Sequence, residues 1–465
     1  MFNLNSTIIL GIAAAYILVT SGISIWSNKF AGTTSTFMTG GRNIGVFVIS
    51  FLLVSEWIST GSTVGTAELA YNKGLSVVWN VLSLTIALFL FSIFMAKKYQ
   101  KTGEYTISGL LSKRYGPHAA LLASVITIYA FAVVIVMLYV GGAATLSAIL
   151  NIPMNIAIWL TAFIAIVYVV AGGMKSVAYT NVVHALFKIA GVTITAVVAL
   201  KMSGGFWHLH DVMPSKYFSF TEGVGIPQII AWIVGSIGAV FCTQYVIQAI
   251  GSMAGSKQAM QASAIAGFII IPVAFMASFI GIAAKYVFPD IKAVWAIPIF
   301  ASHMNPLLGG IVVSSLMAAV FGAASAMTLG STALIMRDIY VPLVKPSDRQ
   351  SLIAARLIAV LFGLVPVFFA LLAPEIIKTL FFSRALRTSL SVVVICMFYL
   401  PFFSSGRGVT IGLMLSVIIT TAWYILQNPF GVDNIYIAIV VPSVVMAIDH
   451  VVTRMRKEGE KVFNR

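Results

Sequence analysis

Apolar runs of about twenty residues or more, each closed by a short polar or basic stretch, repeat along almost the whole chain. Roughly 20 apolar residues of α-helix cross the hydrocarbon core of a bilayer. A helix on the surface of a soluble protein would instead keep one face polar. The pattern predicts thirteen spans, at about 6–27, 43–71, 74–97, 118–149, 153–172, 181–202, 225–250, 260–287, 305–336, 350–373, 377–402, 408–427 and 434–453. Lipid offers the backbone no hydrogen-bond partners, so an all-α integral membrane protein is the expected fold class.

One span is interrupted. Ile44 to Val54 is apolar, Ser55-Glu56-Trp57-Ile58-Ser59-Thr60-Gly61-Ser62-Thr63 is small and polar, and Glu68-Leu69-Ala70-Tyr71 closes the segment before Gly74. A membrane helix breaks only where its backbone is buried in protein or lines a cavity. Transporters place such breaks at the substrate and ion site. The competing reading is a span whose small residues serve close packing; Glu56 weighs against it, because a carboxylate at that depth is costly. A second stretch of the same kind is Gly235-Ser236-Ile237-Gly238 followed by Cys242-Thr243-Gln244-Tyr245. Breaks in matching positions predict two inverted halves of five spans. The expected organisation is a peripheral helix and loop (1–36), a first repeat (37–203), a second repeat (204–403), two peripheral helices (404–453) and a basic tail (454–465).

Composition agrees: 60% of residues are hydrophobic, 9% are charged and mean hydropathy is +1.02, against about a quarter charged in soluble domains. The net charge of +15 does not imply nucleic acid, because its distribution alternates with the spans. One set of alternate loops holds 18 Lys and Arg and the other 6. The positive-inside rule then predicts a multi-pass plasma-membrane protein with its amino terminus outside and its carboxyl terminus cytoplasmic. The remaining basic residues, Lys188, Arg356, Arg384 and Arg387, fall inside spans. The first segment lacks the basic flank and cleavage site of a leader peptide. Cys242 and Cys396 have no metal or disulfide spacing, and His208 and His210 lie in a polar loop where solvation accounts for them. No phosphate-binding glycine loop, metalloprotease motif or nucleophile–base set occurs, so neither ATP-driven transport nor an enzyme is expected, and no cofactor.

Ala318-Ala319-Val320-Phe321-Gly322-Ala323-Ala324-Ser325-Ala326-Met327-Thr328-Leu329-Gly330-Ser331-Thr332, followed by Arg337-Asp338-Ile339-Tyr340, resembles the signature of the sodium:solute symporter family. Phe37-Met38-Thr39-Gly40-Gly41-Arg42 and Ala70-Tyr71-Asn72-Lys73-Gly74 are similar to the segments flanking that family's first core helix. Gly172-Gly173-Met174-Lys175-Ser176-Val177-Ala178-Tyr179-Thr180-Asn181 and Gln244-Tyr245-Val246-Ile247-Gln248 resemble two further family motifs. The resemblance spans roughly residues 37–402. It implies the LeuT-like fold, a 5+5 inverted repeat with broken first and sixth core helices, and secondary transport of a small organic solute by alternating access.

The resemblance also implies a sodium site between backbone carbonyls of the first core helix, here Ser55 and Ile58, and two hydroxyls of the eighth, here Gly322 and Ala323. Neither Gly322 nor Ala323 has a side-chain oxygen, and a hard cation requires an oxygen cage; Ser325, one turn on, replaces at most one ligand. On the fifth core helix, Asn181, His184 and Lys188 are spaced i, i+3, i+7 and share one face. A lysine near mid-bilayer costs about 2.5–3.5 kcal/mol, so it is seldom idle. The expectation is that the Lys188 ammonium takes the ion's place, as a lysine does in proton-coupled LeuT-like amino-acid transporters, with His184 and Asn181 relaying protons. The bland alternative is that Lys188 snorkels to the headgroups. Glu56 has two readings, counter-charge or proton carrier for Lys188, or a structural hydrogen-bonding group. The coupling cation is therefore H+ or Na+.

Arginine suits bidentate carboxylate recognition, so Arg384 and Arg387, one turn apart, suggest a small carboxylate-bearing solute; snorkelling is again the alternative. Trp57, Ser59, Thr60, Thr243 and Gln244, at the two breaks, are the other expected solute contacts. The expected partners are that solute and the lipid bilayer, with oligomeric state left open. A rival class is a membrane sensor that binds solute without moving it, although the dozen residues after Thr453 leave no room for an output domain. A channel would need a continuous polar pore, which these spans lack.

Overall fold

The computed structural model describes residues 4–28, 43–169, 174–372 and 376–463. The motifs Phe37–Arg42 and Gly172-Gly173 lie outside them. Among the described residues every regular element is helical.

In chain order the principal helices are α1 (Leu4–Asn28), α2 (Val46–Trp57), α3 (Val64–Lys73), α4 (Trp79–Leu90), α5 (Ile107–Tyr115), α6 (Pro117–Leu150), α7 (Met154–Val169) and α8 (Met174–Met202). The second part contributes α9 (Ile226–Phe241), α10 (Gln244–Gly251), α11 (Ser256–Val287), α12 (Pro306–Ile335), α13 (Asp348–Ala370), α14 (Ile376–Tyr399), α15 (Gly406–Ile425) and α16 (Asn434–Phe463). Local chemistry sets several ends. The Thr106 side chain accepts from Gly109 N to open α5, and Ser347 and Gln350 form a reciprocal capping box at α13, each satisfying donors that a helix start leaves free. Gly74, at φ +71° with Tyr217 backbone pressed against it, allows the sharp turn out of α3 that a side chain would block.

Among the described residues ten helices are long and apolar enough to cross a membrane, or eleven if the bent pair α9 and α10 is one span. This is fewer than the thirteen expected from the apolar runs. Two runs appear as shorter apolar helices, Val46–Trp57 and Met154–Ile166. The first is short for a physical reason: its helix stops at Trp57, inside the small polar run of Ser55–Thr63.

The core is a bundle in which α8 packs against α12, α2 and α11, and α6 against α12 and α14. α1 lies across α8 and α12. α13 and α16 turn much of their surface outward, with Leu361, Phe368, Val440 and Val451 exposed. Exposed aliphatic and aromatic side chains at this density belong against lipid.

Candidate ion and solute site

The break between α2 and α3 covers residues 58–63. Ile58 leaves helical geometry at φ −83°, ψ 67°, and Thr63 starts α3 from φ −108°, ψ −82°. Freed polar groups in an apolar interior must find partners. Ser62 supplies several: its Oγ donates to Trp57 O at 2.5 Å and accepts from Ser59 N at 2.9 Å. Thr63 Oγ1 donates to Ser59 O at 3.0 Å, and Asn80 Nδ2 donates to Gly61 O at 3.1 Å. Asn80 was missed in the sequence; an asparagine within the apolar run of α4 was the available signal. The second break falls at Cys242 and Thr243, where α9 and α10 meet at 45°.

At the end of α2 the Ser55 carbonyl is capped by a lysine. Lys188 Nζ donates to Ser55 O at 2.6 Å and lies 2.9 Å from Ser55 Oγ. Ser55 Oγ donates to Asn181 Oδ1 at 2.5 Å, and Asn181 Nδ2 donates back to Val177 O. Lys188 is 1% exposed, so it does not snorkel. Gly322 of α12 faces this cluster: a Cβ there would lie 2.8 Å from Lys188 Nζ, 2.8 Å from Asn181 Oδ1 and 3.0 Å from Ser55 Oγ. Such separations are closer than real side-chain contacts, so the ammonium occupies space that only a glycine leaves open. Ser325 Oγ turns back onto Gly322 O at 2.8 Å. Of the four positions expected around the ion, Ser55 and Gly322 thus meet Lys188 directly.

His184, one turn before Lys188, is fully buried and its Nδ1 is hydrogen-bonded to the Tyr16 hydroxyl. Tyr16 belongs to α1, outside the expected ten-helix core, and a tyrosine in an apolar run does not stand out by residue type. Ser24 of the same helix reaches Ser176 of α8 at 2.8 Å.

Above the first break a narrow cavity of about 10 Å³ is lined by Glu56, Trp57, Ser59, Ser62, Tyr245, Arg384 and Arg387 together with apolar side chains. Room for one water needs about that volume, so the site is nearly closed. Arg384 and Arg387 are each 1% exposed, which removes the snorkelling alternative. Arg387 is fastened by Ser383 O, Ser383 Oγ and Thr243 Oγ1. Arg384 donates to Ser236 Oγ at 2.9 Å and stacks over the Phe381 ring at 4.3 Å. Phe381 in turn stacks on Trp232, with centroids 5.0 Å apart and planes at 11°. This stack separates the cavity from a wider pocket of about 360 Å³ beside Lys73, Lys378 and Asp433.

Three expected solute contacts are not brought to this cavity. Thr60 is buried beside Gly141 on α6. Thr243 holds Arg387 and bonds Ala239 O. Gln244 spends both ends of its amide on a loop, accepting from Ile107 N at 3.0 Å and donating to Tyr105 O at 2.9 Å. The same loop is held by Glu104, which lies 2.7 Å from Lys113 and 3.6 Å from Arg337. A polar layer of Gln244, Glu104, Lys113 and Arg337 therefore ties this loop to the helices around it.

Two broken helices meeting at a buried ionic site define an all-helical secondary transporter of the LeuT-like class. The model of the sodium:solute symporter family matches residues 37–420, and the chain belongs to that family. It is 25% identical to the high affinity choline transporter 1 of Homo sapiens over 423 residues, covering 85% of this chain and 72% of the relative. It is 22% identical to the sodium/glucose cotransporter of Vibrio parahaemolyticus, covering 96% and 91%, and 22% identical to the high-affinity proline transporter PutP of Bacillus subtilis, covering 75% and 77%. Its fold matches a Na+-coupled sialic acid symporter solved in a substrate-bound outward-open state, with a TM-score of 0.81 at 16% identity over 96% of this chain and 98% of that one. The nucleobase-cation-symport-1 transporter MHP1 matches at a TM-score of 0.61 and 13% identity, covering 91% and 94%. The chain is a multi-pass membrane symporter, not an enzyme, and its family implies a coupling cation and a small solute.

Proposed function

We propose that this symporter carries a small carboxylate-bearing organic solute by alternating access, and that the Lys188 ammonium stands where a coupling sodium ion would bind. Proton gain and loss at Lys188 then supply the coupling. The observation that carries this reading is the ammonium on Ser55 O at 2.6 Å, seated in the space left by Gly322. Protonated, Lys188 ties the end of α2 to α8; deprotonated, it keeps fewer donors for that carbonyl, and the tie loosens. The titratable groups near it are Glu56 on α2, His184 on its own helix and Tyr16 on α1; Gly322 of α12 contributes none. His184 with Tyr16 and Asn181 forms the relay, and Glu56 is the nearby carboxylate. The Arg384 and Arg387 pair receives the solute's carboxylate, with Trp57 and Ser59 beside it. The repeats are 37–203 and 204–403, and the face bearing Lys73 and Lys378 is the outer one, as the alternation of basic loops supports.

The melting temperature of the purified protein in sodium chloride against choline chloride, across pH, tests the coupling without a known solute. A bound ligand at a hundred times its dissociation constant adds about 2.7 kcal/mol. Indifference to sodium, with a pH dependence that Lys188→Ala removes, is expected. A large sodium-specific rise in the wild type would return the protein to conventional sodium coupling.

A further inference from the structure

The small cavity brings the Glu56 carboxyl together with two guanidiniums, and both Glu56 and Arg384 keep polar atoms there that the protein leaves without a partner. Glu56 is 1% exposed, and neither carboxylate oxygen has a hydrogen-bond partner. Among the described residues its carboxylate makes no ion pair within 4.0 Å. Lys188 is committed to Ser55 O and Oγ instead. Across the same cavity, Arg384 Nε also lacks a partner, as does Trp57 Nε1. A buried charge left without a partner is strongly unfavourable, and removing one member of such a pair destabilises far more than replacing both. Native interiors therefore pair such groups with protein, ordered water or a ligand, and one water cannot neutralise both a carboxylate and a guanidinium.

Resting on the carboxylate reading above, we infer that the solute is a small zwitterion, with its carboxylate at Arg384 and its cationic nitrogen at Glu56. Arg384 is the reading group, because Arg387 has more of its donors fastened to Ser383 and Thr243. Its guanidinium is fixed from behind by the Phe381 ring and Ser236, which leaves the Nε edge free for a carboxylate oxygen. The Trp57 and Tyr245 rings, with centroids 5.7 Å apart, also line the cavity that holds Glu56. Aromatic faces next to a carboxylate suit an ammonium, alkylated or not. A simple anion would leave Glu56 unpaired, and a simple cation would leave Arg384 unpaired. With room for about one water as it stands, the cavity must widen to admit a solute, and a compact body requires the least widening.

The test is thermal stabilisation of the purified full chain by three classes of probe. Glycine, L-proline, glycine betaine and γ-aminobutyrate are the zwitterions, propionate is the anion alone, and choline is the cation alone. At least one zwitterion should stabilise saturably at a concentration where propionate and choline do not. Glu56→Gln should abolish that response and raise the melting temperature of the ligand-free protein, because it removes an unpaired charge. Glu56→Asp keeps the charge and should weaken the zwitterion about tenfold without lowering ligand-free stability. Stabilisation by propionate equal to that by every zwitterion, unchanged in Glu56→Gln, would overturn the zwitterion while keeping the carboxylate reading. Stabilisation by choline alone, unchanged in Arg384→Gln, would overturn both. Loss of ligand-free stability in both Glu56 variants would make Glu56 the counter-charge of Lys188 and also end the inference.

Discussion

Gly322 and Lys188 fit together as one unit. The glycine leaves 2.8 Å between a would-be Cβ and the ammonium, so Gly322→Ser forces the lysine away from Ser55 or shifts α12. Overpacking of this kind costs about 1–3 kcal/mol, seen as a lower melting temperature in Gly322→Ser alone. Combining Lys188→Ala, Gly322→Ser and Ala323→Ser removes the ammonium and adds hydroxyls at the two α12 positions where the family resemblance expects them. That triple variant should acquire a sodium-dependent rise in melting temperature that the wild type lacks; a triple variant indifferent to sodium would mean that other oxygens are missing. The residues of the proposed ion site were readable because a helix puts i, i+3 and i+7 on one face, and because a lysine among apolar residues advertises its cost. Glu56 and the two arginines were readable for the same reason. Tyr16 was not: a tyrosine in an apolar span is ordinary, and only packing of α1 on α8 sets its hydroxyl on His184.

Both helix breaks were legible as runs of small and polar residues, since such runs free the backbone that an apolar helix would lock. The role of the residues just past the second break was not. Gln244 sits where a solute contact was expected, yet it ties α10 to the loop before α5 through Ile107 N and Tyr105 O. Removing a side chain that satisfies a buried backbone N–H costs about 1–3 kcal/mol. In Gln244→Ala the layer formed with Glu104, Lys113 and Arg337 should part more often. Alkylation of Cys242, buried at the neighbouring break, should then be several-fold faster in Cys396→Ser/Gln244→Ala than in Cys396→Ser. Equal rates would mean that Gln244 does not hold this face shut. Sequence alone could not find this link, because its partners lie 137 and 139 residues away.

For the whole molecule, the nearly closed cavity between the Trp232–Phe381 stack and the Gln244 layer fits alternating access, in which one barrier opens while the other stays shut. In proteoliposomes, an inward proton gradient without sodium should accumulate a solute identified by stabilisation, and Lys188→Ala should reduce this to equilibration or less. Solute binding with no uptake would favour a sensor. The sequence by itself determined the all-helical membrane class, the family and the positions of the breaks, because these follow from local hydropathy, small-residue runs and short motifs. It also located the costly buried charges, since a bilayer makes each of them conspicuous. Which of those charges meet was decided only by tertiary structure. Lys188 found a carbonyl 133 residues away, and Glu56 and Arg384 came to one cavity without pairing, because helix packing, not spacing along the chain, sets distances between spans.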